Sequence, residues 1–504
     1  MTLISTKDTG VTLGTPLFSN LNFTIGKGDR IGLVAANGHG KSTLLRCLAG
    51  TMDCTEGEIT FARGLRIGHI EQDIPADLLP LSFHDAVLQV LPKEQKETES
   101  WRVDIVLDDL KVPYDLHTRP LGKLSGGWQR VALLARSWIN DPDLLLMDEP
   151  TNHLDLSRIG ILQNWLSTIA RNTPFVVASH DRAFLDTVTN KTLFLRPERS
   201  RMFSLPYSNA RIALDEADAA DERKFSNDMK QAKQLRRQAA KLKNVGINSG
   251  SDLLLTKTRQ LKERADRLED SARPAHRDMS AGDIRLANSG THVKALVSLD
   301  DETVSTPDGK VLFKTGKKWI KPGDRVVVLG ENGTGKTQLI SLIHSAFGSE
   351  TGAIRIAPSV IMGYCDQDQT QLDAASCPLD EITSRFRVGD QRAKSLLAGA
   401  GFSIDLQTAP MKALSGGQRM RLAMLVLRLT NPNFYLLDEP TNHLDIQGQE
   451  ALEAELKEHD ASCLLVSHDR TFVREVGNRF WLIEGKMLVE VDGPEEFFEL
   501  ALSG

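Results

Sequence analysis

The stretch Leu146-Met-Asp-Glu-Pro-Thr-Asn-His-Leu-Asp155 returns as Leu436-Leu-Asp-Glu-Pro-Thr-Asn-His-Leu-Asp445, nine of its ten residues unchanged. Each copy follows a short apolar run, Leu144–Met147 and Phe434–Leu437. Such a run ending in an acid predicts a buried parallel strand that delivers a carboxylate at its C-terminal edge, where doubly wound sheets bind ligands. The repeat extends well beyond these ten residues. Lys41, Gln72, Ser125, Glu149 and His180 are separated by 31, 53, 24 and 31 residues, and Lys336, Gln367, Ser415, Glu439 and His468 by 31, 48, 24 and 29. Five landmarks in one order at nearly fixed spacing mark two copies of a single unit.

A chain of 504 residues exceeds one hydrophobic core and fits two domains plus a connector. Its composition, 40% hydrophobic and 25% charged, is that of an ordinary globular protein, and it has no apolar run long enough for a membrane helix. The start, Met1 to Asp8, lacks the basic-then-apolar pattern of a signal peptide. Cys47, Cys54, Cys365, Cys377 and Cys463 are odd in number and form no CxxC pair, which predicts a reducing, cytoplasmic setting and argues against a disulfide framework or a zinc site. The net charge of −6 hides a strong asymmetry: Arg223 to Arg267 carries thirteen Lys or Arg against four Asp or Glu.

Gly330-Glu-Asn-Gly-Thr-Gly-Lys-Thr337 is a complete phosphate loop between a β-rich run, Arg325–Leu329, and a helical one, Gln338–Ala346. Its glycines let backbone N–H groups close around phosphates at a helix N-terminus, where the dipole favours anions. Asn332, Gly333 and Gly335 form the cradle, Lys336 neutralises phosphate charge, and Thr337 is suited to Mg²⁺. The first copy assigns the same roles to Asn37, Gly38, Gly40, Lys41, Ser42 and Thr43. Ala35 stands where the first glycine would be, which requires a negative φ there.

Leu124-Ser125-Gly126-Gly127 and Leu414-Ser415-Gly416-Gly417 each precede a helical run, Trp128–Trp138 and Gln418–Leu429. Serine suits the N-cap, and the glycines admit a phosphate to the helix start. In both halves this motif lies 24 residues before the Asp-Glu-Pro glutamate. With this pairing, residues 1–206 and 281–504 resemble the ATP-binding cassette superfamily.

The resemblance implies an α/β fold with two P-loop NTPase, ABC-type nucleotide-binding domains. It implies that Asp148 and Asp438 hold Mg²⁺ with Ser42, Gln72, Thr337 and Gln367, and that Glu149 and Glu439 polarise the attacking water. His180 and His468, at the ends of Val176–Ala178 and Leu464–Val466, would face the γ-phosphate, with Gln72 and Gln367 as sensors. Asp155 and Asp445 would couple the sites. The cassettes of one monomer would pair head to tail, each ATP lying between the phosphate loop of one and the Leu-Ser-Gly-Gly of the other. Two positions depart from the pattern. No aromatic near Val11–Thr15 or Thr303–Gly309 offers adenine a stacking face, which leaves ATP versus GTP open, and Trp128 replaces the glutamine that Gln418 keeps.

Between the cassettes, roughly residues 207–280, Leu235 and Leu242 and then Leu254, Leu261 and Leu268 recur at seven-residue spacing, with Ala232, Ala239 and Ala265 on the same faces. Asn244 to Asp252 reads as a loop. An α-helical hairpin is expected, its first arm of about 35 residues reaching about 50 Å. Arg223, Lys224, Lys230, Lys233, Arg236, Arg237, Lys241 and Lys243 are candidate contacts to an RNA phosphate backbone, and the scarcity of aromatics argues against base stacking.

Paired cassettes, the Glu-Pro-Thr-Asn-His-Leu-Asp signature and an interposed basic hairpin together resemble the ABC-F family. This implies a cytoplasmic ATPase that engages the ribosome at its E site, with the hairpin directed at rRNA and P-site tRNA, released by hydrolysis. Within the family both translation factors and antibiotic-resistance ribosome-protection proteins occur, and a short hairpin tip favours the former. Other classes fit less well. A transporter's ATPase subunit gives no reason for the hairpin, a chromatin-type ATPase inserts its coiled coil within one cassette, and a non-hydrolysing scaffold need not keep both Glu149 and Glu439.

Overall fold

The computed structural model describes residues 2–503 apart from 73, 153, 250–251, 272–283, 291–292, 349–351, 368 and 373–376; the side chains of 245–249, 255 and 271 also fall outside it. The chain divides into two compact units, Met1–Met202 with Ser280–Gly504, and Phe203–Met279. The segments on both sides of the expected 207–280 connector fall in the first unit.

In the first cassette, Ile67–Ile70, Leu144–Asp148, Phe175–Ala178, Arg30–Val34 and Lys191–Phe194 lie side by side in that order as parallel strands. In the second, Met362–Cys365, Phe434–Asp438, Cys463–Val466, Arg325–Leu329 and Arg479–Glu484 repeat the order. Leu144–Asp148 and Phe434–Asp438 are buried at every position, as strands covered on both faces must be. Burying each such Leu or Phe contributes roughly 1.5–3 kcal/mol. Each cassette adds a three-stranded antiparallel sheet, Thr15–Gly26 with Thr2–Leu13 and Glu56–Phe61, and Lys317–Ile320 with Val297–Asp300 and Ile354–Ile356.

The phosphate loops lead into helices Lys41–Leu48 and Lys336–Ser345, whose caps Gly40 and Gly335 have φ of 85° and 106°. A Cβ at Gly335 would stand 2.7 Å from Leu312 Cδ1, so only glycine fits there. Ala35 is absent from the positive-φ residues among those described, which is why alanine can stand where the second copy has Gly330. The helices after the two Leu-Ser-Gly-Gly motifs begin two residues earlier than expected, Gly126–Trp138 and Gly416–Thr430, because each serine stands at the N-cap position and both glycines already belong to the first turn.

The hairpin unit has a longer first arm than the pattern suggested. Tyr207–Ser249 is one helix of 43 residues, about 65 Å at 1.5 Å per residue, followed by Asp252–Ser271. The expected loop over Asn244–Asp252 is helical up to Ser249: Gly246 costs only about 1 kcal/mol in a helix that its neighbours sustain. Ala232, Ala239 and Ala265 are fully buried at the seam, the small residues letting the two backbones approach. The tip side chains of Val245, Ile247 and Asn248 lie outside the described residues.

Segment Glu495–Ser503 forms a helix that follows the second cassette in sequence but packs on Leu156–Thr168 of the first. Phe498 shares a buried cluster with Leu156. A Cβ on Gly160 would lie 2.4 Å from the Leu502 carbonyl oxygen. Gly160→Ala would ordinarily stabilise a helix by about 1 kcal/mol; here it is expected to destabilise by about 1–3 kcal/mol through overpacking. Thermal unfolding checks this, and an unchanged or higher Tm would mean the two helices do not pack this way.

Candidate nucleotide-binding site

Apart from the two Leu-Ser-Gly-Gly motifs, which open helices, the motif residues emerge where strands end. Val34 runs into the first phosphate loop, Ile70 into the segment of Gln72, Asp148 into Glu149, and Ala178 into His180; the second cassette repeats this with Leu329, Cys365, Asp438 and Val466. The two sheets aim these ends into one cleft of about 1250 Å³. Its walls include Lys41, Ser42, Gln72, Asp148, Glu149 and His180, and also Lys336, Thr337, Gln367, Asp438, Glu439 and His468. Ser415, Gly416 and Gly417 line it as well, whereas Ser125, Gly126 and Gly127 do not. Leu13 and Leu17, and on the other side Thr306 and Leu312, stand where an adenine-stacking aromatic was sought.

Glu149 and Glu439 carry the sharpest local signature. Both adopt left-handed backbone, φ 47° and 50°, an uncommon conformation for a residue with a side chain. Their backbone N–H groups donate to Ala178 O and Val466 O at 2.9 Å, stitching each glutamate to the neighbouring strand. Each accepts on Oε2 from the backbone N–H of its own histidine, His180 at 3.2 Å and His468 at 3.1 Å. Oε1 faces the imidazole Nε2 at 3.2 and 3.4 Å but accepts no aligned hydrogen bond, so a lone pair is left for a water. Burial pushes both carboxyls up to about 7, against the pull of Lys41 and Lys336. That places two bases near neutrality, where general-base catalysis works best.

The neighbouring groups respond to the same burial. Lys41 and Lys336 are drawn below the ordinary lysine range by desolvation, opposed mainly by Glu149 and Glu439. Lys41 Nζ lies 2.8 Å from His180 Nε2 and bonds Ala35 O at 3.0 Å, while Lys336 Nζ bonds Gly330 O at 2.7 Å and Glu331 O at 3.0 Å. Desolvation and the adjacent lysine hold His180 well below its usual value and His468 down to about 3, so both imidazoles are neutral.

A divalent cation fits this donor set. Asp438 is buried beside Thr337 with acceptor capacity unspent, and burial raises its carboxyl to about 6. No group of three or more His, Cys, Asp or Glu among the described residues could hold a metal by itself. One carboxylate and one hydroxyl per site suit Mg²⁺, which keeps several waters and takes phosphate oxygens as further ligands.

The first phosphate loop meets the second cassette directly. Asn37 N donates to Asp445 Oδ2 at 2.9 Å, and Asn37 Nδ2 donates to His443 O at 2.9 Å. A Cβ on Gly416 would stand 2.9 Å from the His443 ring, and one on Gly417 2.9 Å from His443 O, so both glycines are needed for this approach. Ser415 completes a capping box with Gln418, its N–H bonding Gln418 Oε1 at 2.8 Å. Ser125 makes no side-chain cap, and Trp128, with no side-chain acceptor, cannot supply the reciprocal half of a capping box.

Residues the sequence pattern did not single out also join the interface. Arg182 bonds Glu453 (Nη1–Oε2 3.3 Å) and stands 3.8 Å from Asp469, while Arg470 stands 3.6 Å from Asp181. Each arginine follows a Ser-His-Asp, so the paired Ser-His-Asp-Arg of 179–182 and 467–470 was the available signal. Buried ion pairs of this kind define register more dependably than they add stability.

In the hairpin unit, the eight candidate RNA-contact residues are all exposed. Arg236 differs from the rest, pairing across the hairpin with Asp266 at 2.8 Å and Glu269 at 2.6 Å.

The ABC transporter family profile matches residues 18–152 and 317–442. The chain is 30% identical to the ATP-binding protein Uup of Haemophilus influenzae, over 94% of this chain and 77% of that one. It is 28% identical to ABC transporter F family member 5 of Arabidopsis thaliana, over 96% and 75%. It is 28% identical to the ribosome protection protein VmlR of Bacillus subtilis, over 95% and 85%.

The buried glutamates give a pH-dependent stability prediction. With folded values raised from 4.5 to about 7, each unfolded carboxyl loses its proton first, so stability falls as pH rises through that window and stays lower above it. Glu149→Gln and Glu439→Gln should each raise stability at pH 8 by up to about 3 kcal/mol, with the gain fading toward pH 4.5. Thermal unfolding from pH 5 to 8 checks this; a gain independent of pH would refute it.

Proposed function

The chain belongs to the ABC-F family of twin ATP-binding cassettes, and on that premise we propose that it is an ATPase acting on the ribosome. The reading rests chiefly on the Asn37–Asp445 bond, which sets the phosphate loop of one cassette against the Ser415-Gly-Gly of the other. Nucleotide held by Lys41 and Ser42 would also touch Ser415 and Gly417, so its γ-phosphate ties the cassettes together and its loss releases them. The second site uses Lys336, Thr337, Gln367, Asp438, Glu439 and His468, with Ser125 and Gly127 brought up by further closure.

Within each site Glu149 or Glu439 takes the proton of the attacking water on Oε1 while its Oε2 stays fixed by the histidine N–H. The neutral imidazole of His180 or His468 donates toward the γ-phosphate, and the lysine balances its charge. Mg²⁺, held by Asp148 with Ser42 and by Asp438 with Thr337, would withdraw charge from the phosphate oxygens. Gln72 and Gln367, at the cleft mouth, orient the water. The hairpin, with Lys230, Lys233, Arg237, Lys241 and Lys243 outward, would address tRNA and rRNA backbone. No helix among the described residues is long and apolar enough to cross a membrane. The relative named for ribosome protection keeps antibiotic protection as the second reading.

Glu149→Gln with Glu439→Gln should lower turnover by about 100-fold or more and pellet with 70S ribosomes in ATP. Alanine at the five hairpin positions named above should abolish that pelleting. Pelleting that ignores ATP, or that survives the alanines, would count against the clamp or the hairpin respectively.

A further inference from the structure

The two coupling aspartates are the same residue in the same repeat, yet they spend their oxygens differently. Asp445 Oδ1 caps its own helix by accepting from Gly448 N at 2.9 Å, and Oδ2 crosses to Asn37 N. Asp155 Oδ1 makes the same cap with Arg158 N at 2.9 Å, but Oδ2 is taken by Arg158 Nη1 at 2.7 Å. No bond from Asn332, the counterpart of Asn37, reaches Asp155 among the described residues. Arg158 in turn stacks on Trp128, its guanidinium carbon 4.6 Å from the ring centroid.

Both partners of that stack are positions where the first repeat departs from the second: Arg158 aligns with Gly448, and Trp128 with Gln418. A third difference belongs with them. Arg421, on the helix after Ser415, lies in the field of Asp445, and its counterpart is the uncharged Val131. In the first cassette the arginine nearest the coupling aspartate is Arg158, in the first turn of the helix that Asp155 caps, and it rests on a tryptophan. Both Asp155 and Arg158 are mostly buried, so this pairing is little weakened by solvent.

We propose that Arg158, seated on Trp128, is a positioning residue that withholds Asp155 from the phosphate loop of Lys336 and so makes that site the slower of the two. The proposal rests on the ATPase reading. The site at Lys41 is coupled across the interface by Asp445; the site at Lys336 must first break the Asp155–Arg158 pair. ATP at the Lys336 site therefore persists after the Lys41 site has turned over.

The test measures steady-state ATP hydrolysis in a Glu149→Gln background, where only the Lys336 site turns over. Arg158→Gly should raise kcat on the order of fivefold, the low end of a typical coupling, with KM within a factor of about two of the background. Trp128→Gln, which removes the stack without touching the coupling loop, should raise it in the same direction. Arg158→Lys, which keeps the charge pair, should stay near the background value. A change in kcat of less than twofold in both Arg158→Gly and Trp128→Gln would overturn the proposal, as would an equal rise in Arg158→Lys. Absence of hydrolysis in the unsubstituted protein would overturn the ATPase reading and this inference with it.

Discussion

Burying Glu149 and Glu439 is the constraint on which the rest of the cassette unit depends. A carboxylate taken out of water resists ionisation, and each of these is held near a pKa of 7 in left-handed backbone at the end of a buried strand. The arrangement persists because everything around it is fixed: a strand carbonyl accepts from the glutamate N–H, a histidine N–H donates to one carboxylate oxygen, and a buried lysine stands opposite. Neither site would keep a base poised near neutrality if solvent entered freely. The cassettes meet beside these sites through Asn37, His443 and Asp445 and through the Arg182 and Arg470 pairs.

Repetition and divergence act at different depths in this chain. The acids, lysines and histidines at the strand ends are copied, whereas the strands keep only their apolar character, Phe175–Ala178 answering to Cys463–Val466. Where the cassettes face each other, Ala35, Trp128, Val131 and Arg158 stand against Gly330, Gln418, Arg421 and Gly448. Core positions exchange one apolar side chain for another and leave the sheet unchanged. The facing surfaces meet different neighbours in the two halves and are free to specialise.

Much of the site was legible from the sequence because phosphate loops, strand-end acids and strand-end histidines are encoded by contiguous residues with fixed spacing. The strand order was not read from the sequence, because it depends on pairings between segments far apart in the chain. Long-range partners were less visible. Arg182 and Glu453 are 271 positions apart and carry no local pattern, and Arg158 reads as an ordinary solvated helix residue until Trp128 is seen beneath it. The hairpin loop was misplaced because Gly246 and Asn244 resemble a turn, whereas a helix already four-fifths formed carries both at small cost. Ser125 to Gly127 marked the start of a helix, but spacing has no means of saying that these three stand away from the cleft while Ser415 to Gly417 line it.

The helix at Glu495–Ser503 has a consequence for how this protein is made. Its resting place, around Leu156 and Gly160, is synthesised on the order of three hundred residues earlier. At roughly 5–20 residues per second, that apolar face waits tens of seconds without its cover. The first cassette therefore leaves the exit tunnel as a finished sheet with an unfinished surface. During that interval it presents the kind of surface that chaperones bind, and a stall late in translation would leave a folded but adhesive half-molecule.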